Sequence, residues 1–533
     1  MKQVPVNIIF CAALTCLMSA AAIAASPAHE LRPTVNDHDL GLGYSVAIDG
    51  STMVVGAPYY DGPGINRGRV YVFTWDGAGW SQSALLTPGG LDDNAYFGWD
   101  VDIDGSTILI GAPGEPDDDD GSHVVGAVFF YSGGGGDWNF QQRIHPVENV
   151  DFFDDDPEDF FQYYIRDFGR AVSLDGTFAA VGSSLTHDLN ALVRDGAAWI
   201  LNGSSGPWHF DQLIDTMDTN QTNRAEFGSA LDLDNGVLVV GAPNYYANGD
   251  PNDARGLAQI FEHNGGSTFV YQQNLSDSLG DSGDAFGEAV AIDGTTIVVG
   301  NSEDDLLGNE AGSAMVFFDT GATWAYETTL TSCDGIDEIK QLGRSVDVDG
   351  DAVVAGGTSL SVFEDPASSV VVWRNITVGD WRMIGRHEAS QVNSDANLGT
   401  SVAIDQGRVV SGAPDADRTI GITWIDIGAV FVWDMLSDDR DLNGTEDWYQ
   451  LLSESHDWNG NCVPDEADCL ADWSSSSHSQ PDGHVDSDDL LDLIDYWGSD
   501  VGNGSASQAD LNEDSDVGIV DLLWVLTDWG TCP

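Results

Sequence analysis

LGYSVAIDGSTMVVGAP, residues 42–58, is the stretch from which the fold can be read. It returns six more times: FGWDVDIDGSTILIGAP from Phe97, FGRAVSLDGTFAAVGSS from Phe168, FGSALDLDNGVLVVGAP from Phe227, FGEAVAIDGTTIVVGNS from Phe286, LGRSVDVDGDAVVAGGT from Leu342 and LGTSVAIDQGRVVSGAP from Leu398. In every copy a glycine is followed six residues later by an aspartate, and seven after that by a second glycine. The first copy has Gly43, Asp49 and Gly56; the last has Gly399, Asp405 and Gly412. The copies start 55 to 71 residues apart, a period that belongs to a repeat architecture.

One copy can be read physically. Ser45-Val46-Ala47-Ile48 alternates and predicts a strand with one buried face. Asp49-Gly50 supplies the positive-φ turn of a tight hairpin. Met53-Val54-Val55 is continuously apolar, as in a strand covered on both faces. After a polar loop, Arg69 to Phe73 reads as a third strand, echoed at Ala127 to Tyr131 and Ala429 to Trp433. A fourth segment opens with an aromatic residue: Trp80, Trp138, Trp208, Phe269, Trp324 and Trp381. Four strands in each of seven units predict an all-β, seven-bladed β-propeller over residues 27–436. Only six fourth segments lie between the seven copies. Residues 27–40 hold the corresponding place before the first copy and are expected to close the seventh blade; Trp448 to Leu451 is the alternative donor.

The copies resemble FG-GAP repeats, the blades of the integrin α-chain propeller and of many secreted bacterial proteins. The resemblance rests on Phe97-Gly98, Phe168-Gly169, Phe227-Gly228 and Phe286-Gly287, with Gly-Ala-Pro at 56–58, 111–113, 241–243 and 412–414. Three copies begin Leu-Gly instead. Integrin-type repeats often carry an Asp-rich calcium loop between these motifs. Here the loop is reduced to Asp-Gly, Asp-Asn-Gly or Asp-Gln-Gly, so Asp49, Asp104, Asp175, Asp293 and Asp349 are expected as turn residues. The loops after the GAP strands all emerge on one face. They include Tyr59-Tyr60-Asp61, Asp117 to Asp120, Tyr245-Tyr246 and Asp415 to Arg418. Such loops suit a protein or carbohydrate ligand or a cation, or form a solvated acidic rim. The segment DFFDDDPEDFF, Asp151 to Phe161, reads as an interaction loop or a packed satellite cluster.

Beyond Trp433 the pattern changes to Asp/Asn-rich segments that can be laid on a twelve-residue calcium loop, with oxygen ligands at positions 1, 3, 5, 7, 9 and 12. Within residues 437–472, one such loop offers Asp439, Asp441, Asn443, the Thr445 carbonyl and Asp447. A second offers Asp457, Asn459, Asn461, Asp465 and Asp468. A Ser-rich linker, 473–481, leads to two related halves within 482–533, offset by 32 residues, as Asp489/Asp521 and Trp497/Trp529 show. Each half reads as a calcium-type loop running into a short helix. The second loop offers Asp510, Asn512, Asp514, the Asp516 carbonyl and Asp521. The first, drawn from His478, keeps Asp482, Asp486 and Asp489. The paired halves resemble a type I dockerin. That resemblance implies a small α-helical domain that folds around Ca²⁺ and docks on a cohesin-like partner. The plainer reading of these residues is turns and helix caps.

The chain has 533 residues, with 18 Lys+Arg against 88 Asp+Glu and a formal charge of −70. That balance excludes a nucleic-acid binder, which needs cations to displace counterions from phosphate, and works against docking on anionic membranes. Residues 1–24 carry one cation, Lys2, and no acid, and become apolar from Ile8, as a secretory signal peptide does; a membrane anchor is the alternative. No later segment is apolar enough to span a bilayer. In an oxidising exterior Cys462 and Cys469 are close enough in sequence to pair, while the pairing of Cys333 and Cys532 stays open. No GxSxG, Walker, HExxH or dinucleotide-binding pattern stands in a fitting context. The expectation is a secreted, calcium-associated binding or adhesion protein without catalytic residues. A polysaccharide-degrading enzyme on a propeller scaffold and a structural matrix component are the alternatives.

Overall fold

Each copy of the repeat folds on itself as an antiparallel meander. In the computed structural model the first blade is Val46–Asp49, Thr52–Ala57, Arg69–Trp75 and Trp80–Leu86, hydrogen-bonded in that order. The description covers residues 29–434 apart from 34–40, 118–123, 147–162, 186, 189–192, 195, 216–224, 247–252, 266–267, 278–279, 281, 306–310, 332–339, 359–367, 378, 389–395 and 421–422, together with 484–485 and 530–531. Seven four-stranded sheets result, one per copy. Their innermost strands are Val46–Asp49, Val101–Asp104, Val172–Asp175, Leu231–Asp234, Val290–Asp293, Ser345–Asp349 and Ser401–Asp405, and each touches the next in a closed cycle.

The seventh blade closes as expected. Its order is His29–Leu31, Ala429–Asp434, Arg408–Ala413, Ser401–Asp405, with His29 opposite Val432 and Leu31 opposite Val430. Arg32 Nη1 adds bonds of 3.2 and 3.4 Å to the carbonyls of Ala416 and Gly428. The strand donated from the N-terminal side thus covers the edge that the last copy leaves open. The alternative donor, Trp448 to Leu451, lies outside the described residues.

Burial explains the strand patterns. Second strands are buried from their second residue on, as in Thr52–Ala57 and Thr107–Ala112, because blades cover both of their faces. Fourth strands such as Trp80–Leu86 are mostly half-buried or exposed, since they form the outer rim. The core therefore lies between blades. One cluster joins Val54, Val70 and Val72 of the first blade to Phe97, Val101 and Ile108 of the second. Another joins Val410 and Val430 of the seventh to Val55 and Tyr71 of the first.

The two glycines of each copy set this packing. Leu42-Gly43 occupies the middle of a turn closed by Tyr44 N–H on the Gly41 carbonyl at 3.1 Å, with Gly43 at φ 90°. A positive φ at the third turn position is the signature of a type II turn, which glycine adopts without strain. The residue ahead of glycine is fully buried in every copy; Leu42, Phe97, Phe168, Phe227, Phe286 and Leu398 have no exposed surface. Each such side chain contributes about 1.5–3 kcal/mol by burial. The GAP glycine then lies against the turn glycine of the next blade. A Cβ on Gly56 would sit 2.1 Å from the Gly98 carbonyl oxygen; the Gly300–Gly343 and Gly412–Gly43 contacts give 1.9 and 1.8 Å.

Two smaller features decorate this frame. Tyr163–Tyr164, His187–Asp188 and Val193–Arg194 form a small sheet, and Asp417–Ile420 pairs with Thr423–Asp426 where the sequence suggested a loop. A separate unit includes residues 436–533. Its described residues are one antiparallel pairing, His484 with Thr531 and Val485 with Gly530. The helices, the linker and the calcium loops expected there lie outside the described residues, and no helix occurs among the described ones.

The glycine contacts make a direct prediction. Gly300→Ala should lower stability by about 1–3 kcal/mol or more, because neither backbone can retreat. Gly79→Ala, with nothing within 4 Å of its Cβ, should stay within about 0.5 kcal/mol of the parent in urea unfolding. Equal losses in the two variants would contradict the packing argument.

Candidate functional site

The turn aspartates face the end of the ring opposite the GAP loops, and each reaches forward by one blade. Asp49 Oδ2 accepts the Gly105 N–H at 2.6 Å, Asp104 the Gly176 N–H at 2.7 Å, and Asp175 the Gly236 N–H at 3.0 Å. Asp234 accepts from Gly294 at 2.7 Å, Asp293 from Gly350 at 2.6 Å, and Asp349 from Gln406 at 2.7 Å. Asp405 closes the circle on Gly50 N–H at 2.6 Å. The expected turn role holds for Asp49, Asp104, Asp175, Asp293 and Asp349. The carboxylates are also inter-blade clasps, which leaves them poorly placed to gather around a metal.

Above this ring, three innermost strands carry a second aspartate two residues earlier. Asp102, Asp232 and Asp347 occupy the position held elsewhere by Ala47, Ser173, Ala291 and Ala403. Asp102 Oδ2 accepts the Leu174 N–H at 2.6 Å, Asp232 the Ile292 N–H at 2.8 Å, and Asp347 the Ile404 N–H at 2.7 Å. Asp100, one step further up, accepts the Val172 N–H at 2.7 Å. Their blades are not adjacent, yet the charges of Asp102 and Asp347 both feel Asp232 across the centre of the ring. Enclosure among strands, more than this repulsion, raises their pKa values. Asp102 is pushed up to about 8, Asp100 to about 7 and Asp232 to about 6, with Asp347 also well above the usual range. Hydrogen bonds from backbone N–H groups oppose the shift in all four. Among the described residues no group of three or more His, Cys, Asp or Glu is arranged to hold a metal ion.

The other end of the channel is the GAP face. The residue after each turn glycine rings its mouth: Tyr44, Trp99, Arg170, Ser229, Glu288, Arg344 and Thr400. Tyr44 and Trp99 pack with ring centroids 4.7 Å apart. Tyr59, from the loop after the first GAP, meets Tyr44 at 5.6 Å and Trp99 at 6.5 Å, both edge-on. Tyr96 lies 6.0 Å from Tyr59 and 5.7 Å from Trp99. The Arg170 guanidinium stands 5.2 Å over Trp99 and 3.9 Å from Asp167. Across the mouth, Arg344 Nη1 lies 3.7 Å from Glu288 Oε1. Burial raises the Tyr44 and Tyr59 hydroxyl pKa values, so both remain protonated donors; Arg170 pulls the other way on each.

The loops singled out in the sequence divide by role. Tyr59 joins the mouth, but Tyr60 stacks under Arg69 at 3.3 Å, and Asp61 Oδ1 accepts the Asn66 N–H at 3.0 Å within its own loop. Tyr245 packs on a core cluster between the third and fourth blades. Asp415 accepts a bond from Asn397. Asp118 to Asp120, Asp151 to Phe161 and the calcium-loop residues from Asp439 to Asp468 and Asp482 to Asp521, His484 and Val485 aside, lie outside the described residues. Tyr44, Tyr96, Trp99, Arg170, Glu288 and Arg344 escaped sequence reasoning. Aligning the seven copies column by column would have found them, as departures at positions next to the conserved glycine.

Residues 37–73, 80–131 and 269–317 match the family described as FG-GAP repeat. The chain carries FG-GAP repeats. No curated protein matches it. The FG-GAP signature now has a physical meaning: a buried Phe or Leu, a type II turn glycine, and a second glycine on which the next blade rests. The matched residues cover the first blade, the inner three strands of the second, the outer strand of the fourth and the inner three strands of the fifth, and the same geometry runs through the remaining blades.

The enclosed carboxylates predict a pH dependence. Their folded pKa values lie above the unfolded value near 3.8, so their contribution is complete below that value. It is lost as pH rises through about 6 to 8. The melting temperature should fall from pH 5 to pH 9. Asp102→Asn keeps an acceptor for Leu174 N–H and should flatten that fall while raising stability at pH 9. A variant less stable than the parent at pH 9 would contradict the assignment.

Proposed function

We propose that this protein is a secreted, calcium-associated binding or adhesion protein, in which the GAP face of the FG-GAP propeller recognises a protein or carbohydrate. The C-terminal Asp/Asn-rich segment acts as a dockerin-like tether to a cohesin-like partner. The propeller serves as a binding scaffold and not as an enzyme. The observation that carries the reading is the break in seven-fold regularity at the channel mouth. Positions the fold needs keep one residue type around the ring, as the turn glycine and turn aspartate do. Mouth positions do not, and they gather aromatic and charged side chains with partly open surfaces. That combination of apolar surface and a few directed polar groups is what binding sites are made of.

Calcium is assigned to the C-terminal loops and not to the blades. The turn aspartates of the blades already serve backbone N–H groups of their neighbours. The loop Asp510, Asn512, Asp514, Asp516 and Asp521 offers five oxygen ligands, and the duplicated half beside it supports a paired module. An apolar N-terminal stretch without acids supports export, and an exterior compartment supplies calcium at the level such a loop needs.

Calorimetric titration of the full chain with calcium tests the tether. At least one site should appear, and Asp510→Ala combined with Asp514→Ala should remove it. Chelation should leave the propeller's own melting transition in place. No heat at millimolar calcium, or loss of the propeller transition on chelation, would contradict the assignment.

A further inference from the structure

The seven blades act as an internal control on one another. Three positions of each copy converge on the channel mouth: the residue before the Phe/Leu-Gly pair, the residue after it, and the residue three beyond the GAP glycine. Read around the ring, the first is Gly41, Tyr96, Asp167, Glu226, Ala285, Gln341 and Asn397. The third is Tyr59, Gly114, Leu185, Asn244, Glu303 and Asp415, the sixth copy's Ser359 lying outside the described residues. Together with the ring from Tyr44 to Thr400, these positions hold four aromatic residues in the whole molecule, and all four meet at the junction of the first two blades. The fold does not require them, since five blades close without one.

The backbone around the four rings is cleared for them. Gly41 is the one glycine at its position, and a Cβ there would stand 2.7 Å from Tyr59 Cδ2. Gly114 is the one glycine at its own, and a Cβ there would stand 2.9 Å from Tyr96 Cδ2, besides striking the Asn94 carbonyl. Tyr96 takes the left-handed φ, 55°, that the residue before the Phe/Leu-Gly pair adopts in every copy, so its conformation belongs to the repeat and its aromatic side chain to this blade alone. Side chains of this size packed edge to face form a rigid platform at small cost in rotamer entropy, with hydroxyls and an indole N–H at the rim. Charged groups border the platform: Arg170 stands 5.2 Å over Trp99 and 3.9 Å from Asp167, while across the mouth Glu288 lies 3.7 Å from Arg344 and also accepts a bond from the Ser302 hydroxyl.

We propose that Tyr44, Tyr59, Tyr96 and Trp99 form a stacking platform for a neutral sugar ring, whose hydroxyls are held by Glu288 and Arg170. This rests on the reading of the GAP face as a binding face and names what it binds. A pyranose offers an apolar C–H face to an aromatic ring and paired hydroxyls to a carboxylate or guanidinium, which is the pairing of surfaces present here. A polyanionic glycan fits less well. The chain carries a formal charge of −70, which repels a polyanion. A proline-rich peptide also stacks on aromatic residues, but it makes no call on a carboxylate and a guanidinium beside the rings.

Full-length protein would be titrated with xylotetraose, cellotetraose and mannotetraose, with a guluronate tetrasaccharide as the anionic probe and a proline-rich decapeptide as the competing class. Calorimetry and tryptophan fluorescence would be read together. At least one neutral tetrasaccharide should bind, Trp99→Ala should weaken it at least tenfold, and Glu288→Gln several-fold. Tyr326→Ala, an exposed tyrosine on an outer strand, should change nothing. Glu288→Gln leaves the aromatic cluster intact, so it decides the matter if Trp99→Ala fails to fold. Binding of the guluronate or the peptide alone, lost with Trp99→Ala, would overturn the neutral-sugar assignment and leave the face a binding face. Sugar binding untouched by both substitutions would overturn the site. No Trp99-dependent binding of any probe would overturn the sugar assignment and count against the recognition role of this face.

Discussion

A glycine carbonyl lying on the Cα of a glycine in the preceding blade fixes how closely the blades approach, and the rest of the molecule follows from that distance. At Gly412 and Gly43 the separation admits no methyl group at all. The contact brings the buried Phe or Leu of one turn beneath its neighbour's third strand, where Phe97 and Phe286 pair with Gly68 and Gly256. It also sets the reach of the turn aspartates on the opposite end, so that every Oδ2 meets a backbone N–H one blade further on. Two rings of contacts, glycine on glycine above and carboxylate on amide below, hold the inner strands like hoops on a barrel. Because the last contact in each ring runs from the seventh blade back to the first, the ends of the propeller chain are tied by the same interaction as neighbours in sequence.

Such a frame frees other positions. The channel carboxylates Asp102, Asp232 and Asp347 cost folding energy when ionised, for enclosure raises their pKa values and they repel one another. Each nonetheless supplies an acceptor to an inner-strand N–H of the next blade. Where Ala47, Ala291 and Ala403 stand instead, the inner strands close without that bond. The mouth shows the same freedom in a form that chemistry outside the protein can use: aromatic rings bordered by guanidinium and carboxylate groups.

Much of the fold was legible in the sequence because its constraints repeat. Alternation at 45–48 and the Asp49-Gly50 turn gave the inner hairpin, the apolar run at 53–55 gave the doubly covered strand, and counting fourth segments pointed to residues 27–40 as the missing strand of the seventh blade. Repetition also hid something. Asp49 was read as a turn residue, which it is, but its bond to Gly105 joins residues 56 apart, and no local pattern announces such a contact. The mouth was less legible. Tyr59-Tyr60-Asp61 drew notice as a loop, yet its three side chains go three ways: Tyr59 to the channel, Tyr60 under Arg69, Asp61 to its own turn. Direction of that kind is set by tertiary packing, and only the comparison of copies with one another carries a trace of it.

The closed ring is tested most directly by hydrogen exchange at the seven amides that donate to the turn aspartates: Gly50, Gly105, Gly176, Gly236, Gly294, Gly350 and Gln406. All lie in turns at the end of the ring, where unbonded amides exchange freely. Closure predicts that Gly50, whose acceptor Asp405 is 355 residues away, is protected as well as the other six. A Gly50 amide that exchanges like an open turn while the others stay protected would mean that the first and seventh blades are not joined.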